Sequence, residues 1–260
     1  MSVSLSKNLR SLIVALDSKL INGRLRKKYY HFVSIKSLKS PFTHRMILGY
    51  NHKESLLHEL FYKYGSDKGA PQDTAHPISL MPAHTYADLY YLLFNLSRNS
   101  ILKVFECGLG TNNLSFKSNM GKAGLPGASL RAWRDYFPNA EIFGADIDSS
   151  ILFSDERITT LYVDQTVCES IEAMWTKISV EDFDLIIDDG LHTFDAGKTL
   201  FESSIGKLRL GGIYVIEDIN PTDKQKFYDY FNAQPYQFHM VDLHRPNTWL
   251  SDNSVAIIWK

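Results

Sequence analysis

Residues 183–192 read Phe183-Asp184-Leu185-Ile186-Ile187-Asp188-Asp189-Gly190-Leu191-His192. The near-continuous apolar run with Leu185-Ile186-Ile187 suits a strand covered by helices on both faces. The acids and glycine behind it mark the point where the chain leaves the sheet. Outward from this stretch, the same rhythm holds from Ile101 onward. Strands are predicted at Lys103–Cys107, Glu141–Ala145, Thr159–Val163 and Gly212–Glu217, each ending in turn residues. Helical patterns lie between them, at Ser129–Tyr136, Cys168–Ile178 and Thr193–Lys207. Strands alternating with helices predict βαβ units and a mostly parallel sheet. Two later runs, Gln237–Leu243 and Ser254–Trp259, are separated only by the polar stretch Arg245–Asn253. That is too short for a crossover helix, so these two are expected to pair antiparallel. Upstream, a loop rich in Gly, Pro and Asp runs from Gly65 to Pro82, and a helix with Tyr86, Tyr90 and Tyr91 is expected over Ala83–Leu96.

The 260 residues fit one such domain with a modest extension. A composition 44% hydrophobic and 13% aromatic excludes disorder and a disulfide-stapled miniprotein. The net charge of −1 argues against a dedicated nucleic-acid binder, yet it conceals an asymmetry. Residues 1–50 carry ten Lys/Arg and one acid, Asp17, while the rest of the chain is acidic. Ser4–Ile21 has helical spacing and is followed by Arg24, Arg26, Lys27 and Lys28. The division expected is therefore a basic helical extension over 1–50 and a main domain over 51–260. The extension is read as a packing arm or as a contact to an anionic surface or a second copy of the chain. Two cysteines, Cys107 and Cys168, make no disulfide framework and point to a reducing compartment, the cytoplasm. No run is long enough for a membrane span, and no signal peptide is read.

In an open α/β sheet, ligands bind beyond the carboxyl ends of the strands. The first strand end carries Glu106-Cys107-Gly108-Leu109-Gly110-Thr111. Its glycines permit a tight turn and close approach of a ligand to the backbone. The third glycine of a dinucleotide fingerprint would fall at Asn113, so a nucleoside without pyrophosphate suits this loop better. The second strand end carries Asp146 and Asp148: Asp146 is placed to hold ribose hydroxyls, and Asp148 to do so or to cap the next helix. The third carries Asp164-Gln165, where the acid either accepts from an adenine amino group or caps a helix. The fourth and fifth carry Asp188-Asp189-Gly190-Leu191-His192 and Glu217-Asp218. Adjacent strand ends lie about 4.8 Å apart, so carboxylates converge there beside a histidine. Such a cluster of hard ligands suits Mg²⁺ or Ca²⁺. Alternatively, these acids cap helices or bind the ligand's amino group. His192, at the mouth of the site, reads as a base.

Taken together, these stretches resemble class I S-adenosylmethionine-dependent methyltransferases. Val104–Gly110, Ser129–Asp148, Ile187–His192 and Gly211–Asp218 carry the resemblance. It is closest to the branch of macrocin and mycinamicin sugar O-methyltransferases, with relatives in bacterial surface-polysaccharide clusters. Tyr64-Gly65-Ser66-Asp67-Lys68-Gly69 and the His84, Tyr86, Tyr90 pattern also match, so the likeness runs from about residue 60 to 260. It implies a Rossmann-like, seven-stranded, mostly parallel sheet with an antiparallel last strand and helices on both faces. It implies S-adenosylmethionine as methyl donor, held by Glu106, Gly108, Gly110, Asp146, Asp164, Gln165 and Asp188. It also implies Mg²⁺ on Asp189, Glu217 and Asp218, with His192 as base. The chain departs from the pattern in a longer loop, Asn112–Ala128, which bears on the acceptor.

The expected activity is Mg²⁺-assisted methyl transfer to a hydroxyl of a small molecule, a sugar or sugar nucleotide. Metal-independent transfer to another acceptor and a catalytically silent nucleoside-binding protein remain the alternatives.

Overall fold

The computed structural model describes residues 55–69, 83–244, 250 and 252–260, together with the backbone of residues 45–49. Among them, nine strands form one sheet: β1 (Arg45–Gly49), β2 (Lys103–Cys107), β3 (Glu141–Asp146), β4 (Ser154–Asp155), β5 (Ile158–Tyr162), β6 (Phe183–Asp188), β7 (Leu208–Ile216), β8 (Gln237–His244) and β9 (Ser254–Trp259). Their order across the sheet is β1-β8-β9-β7-β6-β2-β3-β5-β4. The seven strands expected from the sequence are all present, and β9 runs antiparallel to both β7 and β8. The sheet is larger than expected. β4 is a two-residue antiparallel edge beside β5, and β1 pairs in parallel with β8, from Arg45 opposite Met240 to Gly49 opposite His244. The last residues of the expected extension thus belong to the sheet. The helix expected over Ser4–Ile21, its basic cluster and any contact with a second copy lie outside the described residues.

Among the described residues, six α-helices flank the sheet: α1 (Leu56–Tyr64), α2 (Tyr86–Phe94), α3 (Ala128–Tyr136), α4 (Cys168–Ile178), α5 (Phe194–Ser204) and α6 (Lys224–Asn232). α1 and α6 are not among the helices the sequence pattern predicts. Side chains alternate across a strand, and the core divides accordingly. Val104, Leu185, Ile187 and Val215 pack with α1, α2 and α3, whereas Phe105, Ile186 and Tyr214 pack with α4, α5 and α6. On the first face Trp133 joins three helices, since Phe61 and Tyr90 each meet its ring edge-on at 4.9 Å. No helix among the described residues is long and apolar enough to cross a membrane.

From β2 the chain proceeds through β3 to β5 on one side, and β6 and β7 lie on the other. This reversal opens a crevice at the carboxyl ends of β2 and β6, where open α/β sheets bind ligands.

Candidate functional site

Beyond those strand ends lies a cavity of about 940 Å³, at the upper end of the range for small-molecule sites. Its walls include the glycine turn, Asp146, Asp164 and Gln165 at one side and Asp189, His192 and Asp218 at the other. The loop 116–121 forms a further wall, so part of the longer segment singled out in the sequence does face the cavity. The backbone amide of Met120 donates to the Thr111 carbonyl at 2.8 Å and fixes that wall to the turn.

The glycine turn is built by contact with β6. Gly108 has φ +97°, and a Cβ there would stand 2.0 Å from the carbonyl oxygen of Asp189. The amide of Asp189 in turn donates to the Cys107 carbonyl at 2.9 Å. Asp146 secures the turn from β3. Its Oδ2 accepts from the Leu109 amide at 2.7 Å and its Oδ1 from the Asp148 amide at 2.8 Å. Each oxygen retains a second lone pair for a ligand hydroxyl. Asp148 caps the following turn instead: its carboxylate accepts from Ser150 N and Oγ and from Thr111 Oγ1.

Other expected donor-binding residues turn inward. Gln165 spans two strand ends, donating from Nε2 to Asp188 Oδ1 at 2.7 Å and accepting at Oε1 from the Leu191 amide at 2.8 Å. Asp188 is buried behind the cavity wall, and that burial pushes its carboxyl up to about 6. Asp164 is half-buried on the wall and accepts from Thr166 N and Oγ1, a local turn that caps no helix through its side chain. Glu106 is fully buried and does not line the cavity. It accepts from Ser129 Oγ at 2.6 Å and from Trp133 Nε1.

The acidic side of the cavity has a centre that the strand-end reading did not include. Lys68, in the loop after α1, sends its ammonium between three strand ends. It lies 2.6 Å from Asp189 Oδ2, donates to Glu217 Oε2 and stands 3.6 Å from Glu106 Oε1. Burial opposes its charge, but Asp189, Glu106 and Glu217 together hold its pKa well above the ordinary range. Tyr90 donates to the other oxygen of Glu217 at 2.5 Å. Lys68 and Tyr90 lie in stretches that match the family resemblance, which implies no role for either.

Asp218 faces a different set of groups. Tyr86 donates to its Oδ1, His84 Nδ1 lies 3.5 Å from the same oxygen, and His192 Nδ1 lies 3.6 Å from Oδ2. His84 stacks on Tyr86 with ring centroids 4.7 Å apart. His192 Nε2 lies 3.2 Å from Asp189 Oδ1, so both its ring nitrogens face carboxylates. Burial lowers its pKa, but Asp218 and Asp189 outweigh that and raise it to about 10. Both His192 (φ 57°) and Asp218 (φ 52°) adopt left-handed backbone conformations, a strain typical of functional sites.

Among the described residues, one group has ligand atoms close enough to hold a metal ion: Asp189, His192 and Asp218, with those atoms within 4.8 Å of one another. Two hard carboxylates and an imidazole fit a divalent cation. Of the expected ligands, Asp189 and Asp218 come together at this point, whereas Glu217 turns to Lys68 and Tyr90.

No protein-family model matches the chain. The mycinamicin VI 2''-O-methyltransferase of Micromonospora griseorubida is 32% identical over 136 residues, covering 52% of this chain and 32% of that protein. The demethylmacrocin O-methyltransferase of Streptomyces fradiae is 31% identical, with the same coverage. The chain spans about one third of the length of these curated relatives. Among solved structures, the MycE methyltransferase from the mycinamycin biosynthetic pathway, in complex with Mg and SAH, has a TM-score of 0.56 at 24% identity. That likeness covers 81% of this chain and 56% of the other, and it concerns the fold.

Proposed function

We propose that this chain is an S-adenosylmethionine-dependent O-methyltransferase, assisted by a divalent cation and acting on a sugar hydroxyl. The observation carrying this reading is the continuity of the cavity, from the glycine turn and Asp146 to Asp189, His192 and Asp218. Donor and acceptor would meet there without crossing solvent. The named activities of the curated relatives, sugar O-methyltransferases of natural-product pathways, support the same class. The acceptor is a sugar on a small molecule or a nucleotide sugar destined for surface polysaccharide, and the expected setting is the cytoplasm.

In this reading the backbone of the glycine turn receives the donor, and Asp146 accepts from its ribose hydroxyls with its free lone pairs. Asp164 lies within the same wall, available to the base. Asp189 and Asp218 would hold a divalent cation such as Mg²⁺, whose Lewis acidity lowers the pKa of an acceptor hydroxyl. His192 receives the hydroxyl proton at a ring nitrogen. That requires it to begin neutral, so the positive charge it now supplies to the two carboxylates must come from elsewhere. The acceptor oxygen then attacks the sulfonium methyl carbon, the carbon–sulfur bond breaks, and the sulfur leaves as a neutral thioether. Much of the rate comes from holding oxygen, carbon and sulfur in line.

The test is methyl transfer from labelled S-adenosylmethionine to a panel of glycosides and nucleotide sugars, with products identified by mass spectrometry. Chelation with EDTA should abolish turnover and Mg²⁺ should restore it. His192→Ala should slow the chemical step by ~10²–10⁴-fold, the range for a positioned base. Full turnover in EDTA with an unaffected His192→Ala variant would move the assignment to metal-independent transfer. Failure to bind the donor would remove the methyltransferase reading altogether.

A further inference from the structure

A sugar ring has hydroxyls at its rim and an apolar C–H face. A site that selects it supplies polar groups for the first and a flat apolar side chain for the second. The cavity wall around His84 supplies polar groups in Asp67, Asp218 and Asp252. The apolar side chains of the wall are largely committed elsewhere. Ile147, Val163 and Leu191 follow β3, β5 and β6, on the side given to the donor. Met120 lies over Gly110, where a Cβ would stand 2.9 Å from its Cγ.

Phe116 remains. It is half-buried on the cavity wall, whereas Leu114, two residues earlier, is 56% exposed and off that wall. Among the described residues the Phe116 ring meets no other aromatic ring. Its loop is anchored at the base. The Thr111 carbonyl accepts from the Met120 amide, Thr111 Oγ1 donates to Asp148 Oδ2 at 2.6 Å, and the Gly127 amide donates to the Leu109 carbonyl at 2.7 Å. Toward the tip the loop holds itself. Asn113 Oδ1 accepts from Ser115 N and Oγ, and Asn119 Nδ2 donates to the Phe116 carbonyl at 2.8 Å. Among the described residues, the hydrogen bonds of residues 113–119 stay within 111–121, so a change at the tip alters the wall without disturbing the strand ends. We infer that Phe116 is a specificity-determining residue, on whose ring the C–H face of the acceptor sugar lies. This rests on the sugar O-methyltransferase reading proposed above.

The test separates acceptor from donor. The acceptor probe is the glycoside that wild type methylates fastest in the panel above, with KM and kcat measured at saturating S-adenosylmethionine. Affinity for S-adenosylhomocysteine is measured by calorimetry without acceptor. Phe116→Ala should raise the acceptor KM about tenfold, the loss expected for an aromatic contact. Both kcat and S-adenosylhomocysteine affinity should stay near wild type, the pattern of lost acceptor binding alone. Phe116→Trp should keep the wild-type KM, whereas Phe116→Leu should not. Leu114→Ala, on the same loop, should leave all three constants unchanged.

An unchanged KM in Phe116→Ala overturns the inference. So does an equal loss of S-adenosylhomocysteine affinity, which would make Phe116 a cover for the donor. A wild-type KM in Phe116→Leu overturns it as well, because bulk without a ring would then suffice. Failure of the underlying reading shows in wild type instead. If wild type binds S-adenosylhomocysteine but methylates no sugar, the sugar acceptor falls and takes the inference with it. If wild type does not bind S-adenosylhomocysteine, the methyltransferase reading itself falls.

Discussion

Gln165 Nε2 donates to Asp188 Oδ1 at 2.7 Å, joining the loop after β5 to the end of β6 across the crevice. The same amide accepts from the Leu191 backbone, so one side chain satisfies a buried acid and holds the Asp189–His192 turn. Gln165→Ala leaves Asp188 with the weaker partner Gly190 N at 3.3 Å. It should cost about 1–3 kcal/mol, the penalty for an unpaired buried group. At this chain length that corresponds to a melting temperature lower by about 2–4 °C per kcal/mol. Thermal denaturation and donor calorimetry together check it. An unchanged melting temperature with lost donor affinity would make Gln165 a ligand contact instead.

Gly108 and Gly121 share a positive φ but not an environment. A Cβ on Gly108 would collide with the Asp189 carbonyl, whereas one on Gly121 meets nothing within 4 Å. Gly121→Ala should therefore show only left-handed strain, about 1–2 kcal/mol. Gly108→Ala should lose clearly more, because β2 and β6 cannot both keep their ends. Chemical denaturation of the two variants side by side gives the comparison. Equal losses would mean that the close approach of the two strand ends contributes nothing.

Asp146 already holds two backbone amides, and the proposed donor adds its ribose hydroxyls to the same carboxylate. Asp146→Ala should weaken binding of S-adenosylhomocysteine by about 1.5–3 kcal/mol, the range for a charged hydrogen bond. Calorimetry that finds wild-type affinity would remove the ribose assignment.

Tyr64, at the end of α1, donates to Asp135 Oδ2 in α3 at 2.5 Å. Burial raises the pKa of Asp135, but the Tyr64 hydrogen bond and Arg134 outweigh that and lower it below the ordinary value. A depressed carboxyl stabilises the fold when ionised, so its contribution is present above the unfolded value near ~4 and lost as pH falls below it. Tyr64→Phe should cost about 0.5–1.5 kcal/mol at neutral pH. The difference from wild type should shrink toward pH ~3 as Asp135 takes up its proton. Melting curves across that range check both the sign and the window. A difference that grows on acidification would contradict it.

The amino-acid sequence alone determined the seven central strands and the antiparallel tail, because both are written in local pattern. Leu185, Ile186 and Ile187 must lie in a strand covered on two faces, and the short Arg245–Asn253 link excludes a crossover helix. Asp148 as a turn cap was equally legible, since its partner Ser150 is two residues away. The positions of Asp146, Asp189 and Asp218 at strand ends followed from the same pattern. The partners those acids take are decided by the tertiary structure. Lys68 reaches Asp189 and Glu217 across separations of 121 and 149 residues, and Trp133 reaches Glu106 from a helix on the opposite side of a loop. A carboxylate at a strand end can meet a ligand, a metal ion or another side chain with no change in its neighbours along the chain. Only the packing of α1, α2 and α3 against the sheet encloses Glu106 and brings Lys68 and Tyr90 onto Glu217, while Asp218 meets His84 and His192 at the cavity. The pairing of Arg45–Gly49 with β8 has the same origin, because a short edge strand is specified by the exposed sheet edge as much as by its own residues.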